Sequence, residues 1–591
     1  MHNPRPTNIS ILIYNDRASN FITLIILTSF FTFPFFHTGN CDSASSNWIS
    51  NNLGEISSSN LQSSSTIPPD KSSNLSKHPV LLVISFDGFR HDYFHRAATP
   101  FLDLLKEDGS SVPYMKNQFV TKTFPNHMSI ATGLHCESHG VVDNDLFDPY
   151  YNMSLPSDSN LFWNYNNETV PLWTWNELAG DGRKSGVMMW PGSDHPYGLN
   201  HSMQLPSRVV KWNETFPYIW RIDRVLEWIT NDQEPVNLVF MYFEEPDEYA
   251  HAFGPESDEV TDKIVKLDNA TGYLVKQLKS MNLFDRVNLI ILSDHGFQEV
   301  KASDMINISS IVDPDLYEQF GSTPVVQLKV KPGNFDVVYN KLKNASKTQN
   351  FTVYSKEEIA QVPNWFYSKN RRILDIIVVA NLGYVFEDFA DKIKYYDSHF
   401  NRTPSPNNRY GVHGYSNGLL PMHPFFLAHG PLFRHKYIAP PFENVDLFPL
   451  ICKILGLETR SSNGTFENVK NLIVTQGFAV GSPVGWAIGA GLVFGVMILL
   501  GIMSILASTS RERDRRARSS YSQNGTRGYR FINRRNSYDS ADENENVEGN
   551  VGGVSSVLNN LVDDDDDDDE HNEECQPGKE EYQALLKTEE V

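Results

Sequence analysis

Residues 80–86 read VLLVISF and run directly into Asp87-Gly88-Phe89-Arg90. A continuous apolar stretch with β-branched Val80, Val83 and Ile84 is the pattern of a strand buried on both faces, not of one with a wet side. Two later runs repeat the plan. Leu238 to Phe243 (LVFMYF) leads into Glu244-Glu245-Pro246-Asp247, and Leu289 to Leu292 (LIIL) into Ser293-Asp294-His295-Gly296. Stretches of helical composition, among them Thr99 to Asp108 and Asp258 to Lys279, lie between the runs. The alternation predicts an α/β fold with a doubly wound, mostly parallel sheet. In such sheets ligands bind beyond the carboxyl ends of the strands, where Asp87, Asp247, Asp294 and His295 all fall.

Spacing adds a second argument. Asp247 and His251 are four residues apart, so a helical turn puts them on one face, where they can grip one ion. Asp294 and His295 are neighbours at a strand exit, and both can turn toward one point. His413 stands in Gly411-Val412-His413-Gly414-Tyr415, between glycines that permit close approach. Asp and His suit Zn²⁺, with Mn²⁺ an alternative. One Asp-x-x-x-His pair is more often a surface helix pair than a site, and strand-end aspartates also cap helices. The weight comes from several such groups at one sheet edge.

The nucleophile candidate lies in Lys122-Thr123-Phe124-Pro125-Asn126-His127. Pro125 fits the first turn of a helix starting just after Thr123, which would aim free N–H groups at whatever Thr123 faces, as at a phosphate seat. A threonine hydroxyl attacks only when activated, for example by a metal. The competing role for Thr123 is a plain N-cap.

Around this segment the 591-residue chain is 40% hydrophobic and 21% charged, enough for one large core. Lys+Arg 50 against Asp+Glu 72 leaves a net charge of -22, which excludes a nucleic-acid polymer as the expected partner. Four cysteines (Cys41, Cys136, Cys452, Cys575) are too few for disulfide-stapled modules, and three of them in the outer region leave one thiol free unless cleavage removes Cys41. Residues 1–40, with the apolar run 21–36, are expected to be a signal peptide, a retained signal anchor being the alternative. A Ser-rich linker at 41–77, a catalytic body at 78–460 and a stalk at 461–483 follow. Residues 484–506, uncharged and about 35 Å long as a helix, are expected to cross a membrane. Arg511, Arg513, Arg515, Arg516 and Arg518 then put the C-terminus in the cytosol and the body outside the cell, as in a single-pass type I protein of the plasma membrane. Sequons headed by Asn74, Asn152, Asn167, Asn200, Asn213, Asn269, Asn307, Asn344, Asn350, Asn401 and Asn463 suit that orientation. Residues 507–591 form an acidic tail expected to be disordered around Asp563 to Asp569. It carries patterns similar to sorting-adaptor signals (Glu581 to Leu586) and to a basophilic kinase site (Arg534 to Ser537).

Taken together and in order, ISFDGFR, KTFPNHMSIATG, HGVVDN, EEPDEYAH, LSDHG and GVHGY resemble the nucleotide pyrophosphatase/phosphodiesterase family of the alkaline phosphatase superfamily. The resemblance covers about 78–460. It implies two zinc ions, one held by Asp87, Thr123, Asp294 and His295 and the other by Asp247, His251 and His413. It further implies a Thr123 nucleophile that forms a phospho-threonine, Asn144 on the phosphoryl oxygens, and Phe124 and Trp190 on either side of a nucleobase. The expected reaction is hydrolysis of nucleotide or dinucleoside polyphosphate esters and anhydrides to a nucleoside 5′-monophosphate. Ala250 stands where the family has Gly, a small change that leaves His251 in place. The Cys-rich and nuclease-like modules of longer relatives are missing. Two other functions stay open: cleavage of choline-phosphate lipids, which needs an anionic or aromatic pocket for the quaternary ammonium, and an idle adhesion or receptor glycoprotein. The second sits badly with clustered carboxylates that repel one another without a cation.

Overall fold

The computed structural model describes residues 74–166, 169–199, 202–474 and 483–521. The expected signal segment, nearly all of the 41–77 linker and the tail beyond 521 lie outside them. Contacts divide the chain near residue 480 into two units, each described by itself.

The first unit is built on an eight-stranded sheet. In chain order its strands are β1 (Val80–Phe86), β2 (Ser110–Ser111), β3 (Ser185–Met188), β4 (Arg208–Val210), β5 (Leu238–Phe243), β6 (Val287–Leu292), β7 (Phe426–His429) and β8 (Tyr437–Ile438). They lie side by side as β8-β2-β7-β6-β1-β5-β3-β4. From β6 to β4 every pairing is parallel, while β7 runs antiparallel to both its neighbours. The mostly parallel α/β sheet expected from the three apolar runs is thus present, and β1, β5 and β6 are buried along their whole length. The helix Asp258–Ser280 shows why it forms. Ser257 caps its first turn, and Val260, Ile264, Leu267, Leu274 and Leu278 recur at helical spacing on the buried face. Asp268, on the same face, accepts from the N–H groups of Phe101 and Leu102 and so caps the neighbouring helix Pro100–Asp108.

A second, four-stranded antiparallel sheet was not expected. Its strands are Tyr317–Ser322, Val325–Val330, Ile376–Ala380 and Phe351–Ser355, in that spatial order, over a separate apolar cluster. Tyr317–Ser322 and Phe351–Ser355 are partly exposed, while Ile376–Ala380 (IIVVA) is as apolar as the central runs but leads into Asn381 and no acid or histidine. The body also reaches past residue 460. Val469, Leu472 and Ile473 are buried, and Arg434 N–H donates to the Leu472 carbonyl. Residues 461–474 are therefore part of the packed body and not stalk. Cys136 and Cys452 are both free, buried thiols whose pKa burial pushes up to about 12.

In the second unit a helix spans Pro483–Tyr521. Among the described residues no helix is long and apolar enough to cross a membrane. Many side chains of the expected 484–506 span lie outside the described set. Of those described, Met497, Leu499 and Met503 are each more than 60% exposed.

Candidate metal centre and active site

Register brings the site together. Ser85 of β1 lies level with Tyr242 of β5 and Leu292 of β6, so Asp87, the turn after Phe243 and Ser293-Asp294 emerge at one height. The exits are tied to one another: Gly88 N–H donates to Asp294 Oδ1 at 3.1 Å and Phe89 N–H to Ser293 Oγ at 2.9 Å. Two helices complete the edge, α1 (Thr123–Thr132) and α2 (Asp247–Phe253). Asp247 and His251 share a face of α2, with Asp247 Oδ2 3.5 Å from His251 Nε2.

Each of the three candidate histidines has one nitrogen committed. Nδ1 lies 2.8 Å from the Gly411 carbonyl in His251, 3.0 Å from that of Thr121 in His413 and 3.1 Å from that of Gly296 in His295. A carbonyl only accepts, so Nδ1 carries the proton and Nε2 presents a lone pair. The lone pairs converge. His413 Nε2 is 3.1 Å from His251 Nε2 and 3.5 Å from Asp247 Oδ1. His295 Nε2 is 3.3 Å from Asp87 Oδ1, 3.2 Å from Asp294 Oδ2 and 3.8 Å from Asp247 Oδ1. Those three carboxylate oxygens, Asp87 Oδ1, Asp247 Oδ1 and Asp294 Oδ2, are buried with no hydrogen-bond donor.

Buried acceptors that face acceptors repel unless a cation lies among them. Burial, reinforced by Asp294 and then Asp247, pushes the Asp87 carboxyl well above its usual range. Asp247 is raised the same way, by burial and then Asp294. Burial also lowers His251 to about 3 and holds His413 well down, helped there by His295 and His251. Neutral imidazoles and crowded carboxylates are a donor set that fits a divalent ion of the zinc type. Two triads have ligand atoms all within 4.8 Å of one another: Asp247, His251 and His413, and Asp87, Asp247 and His295. Asp247 belongs to both, where the sequence placed it in one, and Asp294 completes the second through its Oδ2.

Thr123 is the first residue of α1, one position further in than expected, and Lys122 is the N-cap. The Thr123 hydroxyl caps nothing; its Oγ1 lies 3.2 Å from His295 Nε2. His127, one turn on, directs Nδ1 at the Thr123 carbonyl (2.8 Å), with Asp294 Oδ2 3.4 Å from the same nitrogen, while its Nε2 lies 3.0 Å from Ser85 Oγ. Asn144 Oδ1 accepts from Phe124 N–H at 2.9 Å, which leaves its amino group to donate elsewhere.

Asp87, Thr123, Asn144 and Asp247 line a cavity of about 670 Å³, within the size range of small-molecule sites. Residues 81–416 match the type I phosphodiesterase/nucleotide pyrophosphatase family. The chain belongs to that family. It is accordingly a hydrolase of phosphodiester and pyrophosphate bonds. Among curated relatives, bis(5′-adenosyl)-triphosphatase ENPP4 of Homo sapiens is 37% identical over 450 residues, 75% of this chain and 91% of that protein. Ectonucleotide pyrophosphatase/phosphodiesterase family member 5 of Homo sapiens is 37% identical over 398 residues, 66% and 78% respectively. Among solved structures, the murine member 5, an inactive threonine-to-alanine form in complex with AMP, superposes with a TM-score of 0.59 at 37% identity. It covers 67% of this chain and 100% of its own.

Phe124 and Trp190 both line the cavity of this phosphodiesterase, but they differ in what they offer it. Trp190 is 1% exposed; its indole N–H donates to the His127 carbonyl and its ring packs edge-on with His127 and Phe240. That ring is part of the floor and not a free stacking face. Phe124 is half-buried against Phe162 and Trp163. The free aromatic surface is supplied by Trp212 and Tyr395, which also line the cavity at 59% and 53% exposure. Sequence reasoning missed both. Trp212 sits in a polar loop and Tyr395 on a surface helix, so neither adjoins a strand end; a large aromatic in hydrophilic surroundings was the one signal. Asp158, Asp194, Glu214 and Glu248 line the same cavity, with Lys211 their one cationic neighbour in the lining.

Proposed function

We propose that the chain is a zinc-dependent ectonucleotide pyrophosphatase/phosphodiesterase that releases a nucleoside 5′-monophosphate by way of a phospho-threonine on Thr123. The observation that carries this is the convergence of three Nε2 lone pairs and three donor-less carboxylate oxygens beside one hydroxyl. Asp87, Thr123, Asp294 and His295 would hold one zinc and Asp247, His251 and His413 the other, with Asp247 close enough to serve both. Bound there, the ions neutralise charge on the phosphoryl group and make the hydroxyl and a water acidic at neutral pH.

The chain's own groups then do the rest. Thr123 Oγ, the first side chain of α1, attacks phosphorus in line with the leaving group, whose P–O bond breaks; the nucleoside-bearing phosphoryl group stays esterified to Thr123 until water cleaves that ester, freeing the nucleoside 5′-monophosphate and the hydroxyl. His127 holds the Thr123 carbonyl, so the hydroxyl keeps its aim. Asn144, fixed by Phe124 N–H, donates its amide hydrogens to a phosphoryl oxygen as charge develops there. Phe124 and Trp212 supply flat faces for a base, which stack without demanding one base. The activity for which the triphosphatase relative is named and the AMP held by the member 5 structure support a nucleotide substrate. The exposed apolar side chains of Pro483–Tyr521, the arginines after residue 510 and the surface position of Asn152, Asn213, Asn307 and Asn401 support a glycosylated ectodomain on one membrane span.

A choline-phosphate lipid is the second reading. The acidic and aromatic lining, with Glu214, Glu248, Trp212 and Tyr395, is the kind that receives a quaternary ammonium. One assay separates the two. The purified full chain, with metal content measured, is given diadenosine triphosphate, ATP and lysophosphatidylcholine. AMP release with two zinc per chain is expected; phosphocholine release alone, or turnover without metal, refutes the proposal.

A further inference from the structure

Lys122 immediately precedes Thr123, yet its side chain turns away from the cavity and is 3% exposed. Its Nζ donates to both oxygens of Asp143 at 2.8 Å, to the Ser322 carbonyl at 2.7 Å and to Ser322 Oγ at 3.1 Å. Every N–H of the ammonium is therefore used. Asp143, fully buried, immediately precedes Asn144, and its Oδ1 also accepts from Asp145 N–H at 3.3 Å, so the chain bends around Asn144. Asn144 in turn accepts from Phe124 N–H. The contacts close a ring: Thr123 is bonded to Lys122, Lys122 is paired with Asp143, Asp143 is bonded to Asn144, and Asn144 is tied back to Phe124.

The ring is closely packed from two sides. Gly414, next to His413, has φ +115°, and a Cβ there would lie 3.0 Å from Lys122 Cε and 3.3 Å from its Cγ. The lysine stem thus fills the space beside the His413 loop. At the other end a Cβ on Gly321 would fall 3.1 Å from Asp143 Oδ2. The Ser322 contact comes from the hairpin tip of the second sheet, whose packing sets where the ammonium sits.

We infer that the buried Lys122–Asp143 ion pair is a positioning device that sets the separation between the Thr123 hydroxyl and the Asn144 amide. It rests on the roles given to those two residues under Proposed function. The pair touches no cavity-lining surface, so it acts on the reaction only through its neighbours. A displacement of about 1 Å between nucleophile and phosphoryl ligand is enough to cost on the order of 100-fold in rate.

The test is a double-mutant cycle in the full chain, with kcat and KM measured on the p-nitrophenyl ester of thymidine 5′-monophosphate and zinc measured on each protein. Removing one partner strands a buried charge, so the pair is neutralised together as Lys122→Met/Asp143→Asn. The expected result is a 10- to 100-fold fall in kcat, KM within threefold, zinc unchanged, and a cost below threefold when the same change is made in Asn144→Ala. If the double variant does not fold, Lys122→Arg, which keeps the charge but alters the head group, is put through the same cycle with the same expectation. Wild-type kcat in the folded pair variant, or an undiminished cost in the Asn144→Ala background, overturns the inference, because a merely structural pair behaves additively. Full activity of Asn144→Ala alone instead refutes the role given to Asn144 in the proposed function.

Discussion

Replacing Asp247 by Asn is predicted to raise stability without metal and lower it with metal. Asp247 has oxygens 3.5 Å from Nε2 of both His251 and His413, and it is the one carboxylate common to the two triads. Its ligand oxygen and that of Asp87 are within 4.8 Å. Two full charges at that distance repel by roughly 3 kcal/mol at an effective dielectric of about 20. Protonation of one partner already relieves part of this, which is what the raised pKa values of Asp87 and Asp247 express. Relief of about 1–2 kcal/mol on going to Asn in the metal-free protein is the expected remainder. With zinc at about 100 times its dissociation constant, binding stabilises the wild type by about 2.7 kcal/mol, and loss of the shared ligand forfeits most of it. A body of about 400 residues unfolds with an entropy near 0.8 kcal/mol/K, so 2.7 kcal/mol is about 3 °C in Tm. Thermal unfolding of both proteins in chelator and in zinc reads the two differences. A reversal of rank between the two buffers is expected. If Asp247→Asn is destabilised equally in both, the acids and imidazoles are ordinary core packing and the metal centre is wrong.

Thr123→Ala should remove turnover of a chromogenic nucleotide ester by at least about 10⁴-fold, as loss of a nucleophile does, while Tm changes little because among the described residues its Oγ1 makes a single hydrogen bond, to His295; retained activity in a zinc-loaded sample would exclude Thr123. Chelation of the wild type should silence it and added zinc restore it, and an enzyme indifferent to the chelator contradicts the mechanism. Trp212→Ala should raise KM for nucleotides several-fold at unchanged Tm, whereas Trp190→Ala should cost about 3–5 kcal/mol of stability, the usual loss for a buried aromatic; the opposite pattern would return Trp190 to the base pocket. Asp268 has its pKa raised to about 7 by burial. A raised carboxyl contributes stability that is complete below pH 4 and is lost as pH climbs through 7, so Asp268→Asn should flatten the fall in Tm between those values; an unchanged slope refutes that assignment.

The central sheet and the clustering of the candidate metal ligands were legible because both follow from short-range rules. VLLVISF, LVFMYF and LIIL can only be strands buried on both faces, and the first polar residue after each must emerge at the sheet edge. Asp87, Asp247 and Asp294 are close because three strands end level, which needs no knowledge of the loops. Trp212 and Tyr395 were not legible. They come from a loop and a surface helix whose placement depends on long-range packing, and an exposed aromatic looks the same whether it faces a substrate or bulk water. The second sheet escaped for a related reason: Tyr317–Ser322 and Phe351–Ser355 are partly exposed, and the buried run Ile376–Ala380 is followed by Asn381 and not by an acid or a histidine that would have marked its end.

That second sheet bears on the chemistry more than its distance in sequence suggests. The three central strands are almost purely apolar, so they can place carboxylates side by side but cannot correct their aim. Polar contacts from elsewhere do that. Thr121 holds His413, Gly411 holds His251, and the Ser322 hairpin tip holds the ammonium beside Thr123. The sheet's hydrophobic burial supplies the stability that lets three like charges crowd together, while direction comes from backbone carbonyls that each use up one N–H of a side chain. A fold that relied on side-chain pairing alone for direction would have neutralised the same acids it needs to leave free for a cation. Carbonyls avoid that conflict, since they fix the imidazoles through Nδ1 and leave Nε2 of each to face Asp87 Oδ1, Asp247 Oδ1 and Asp294 Oδ2, the carboxylate oxygens without a donor.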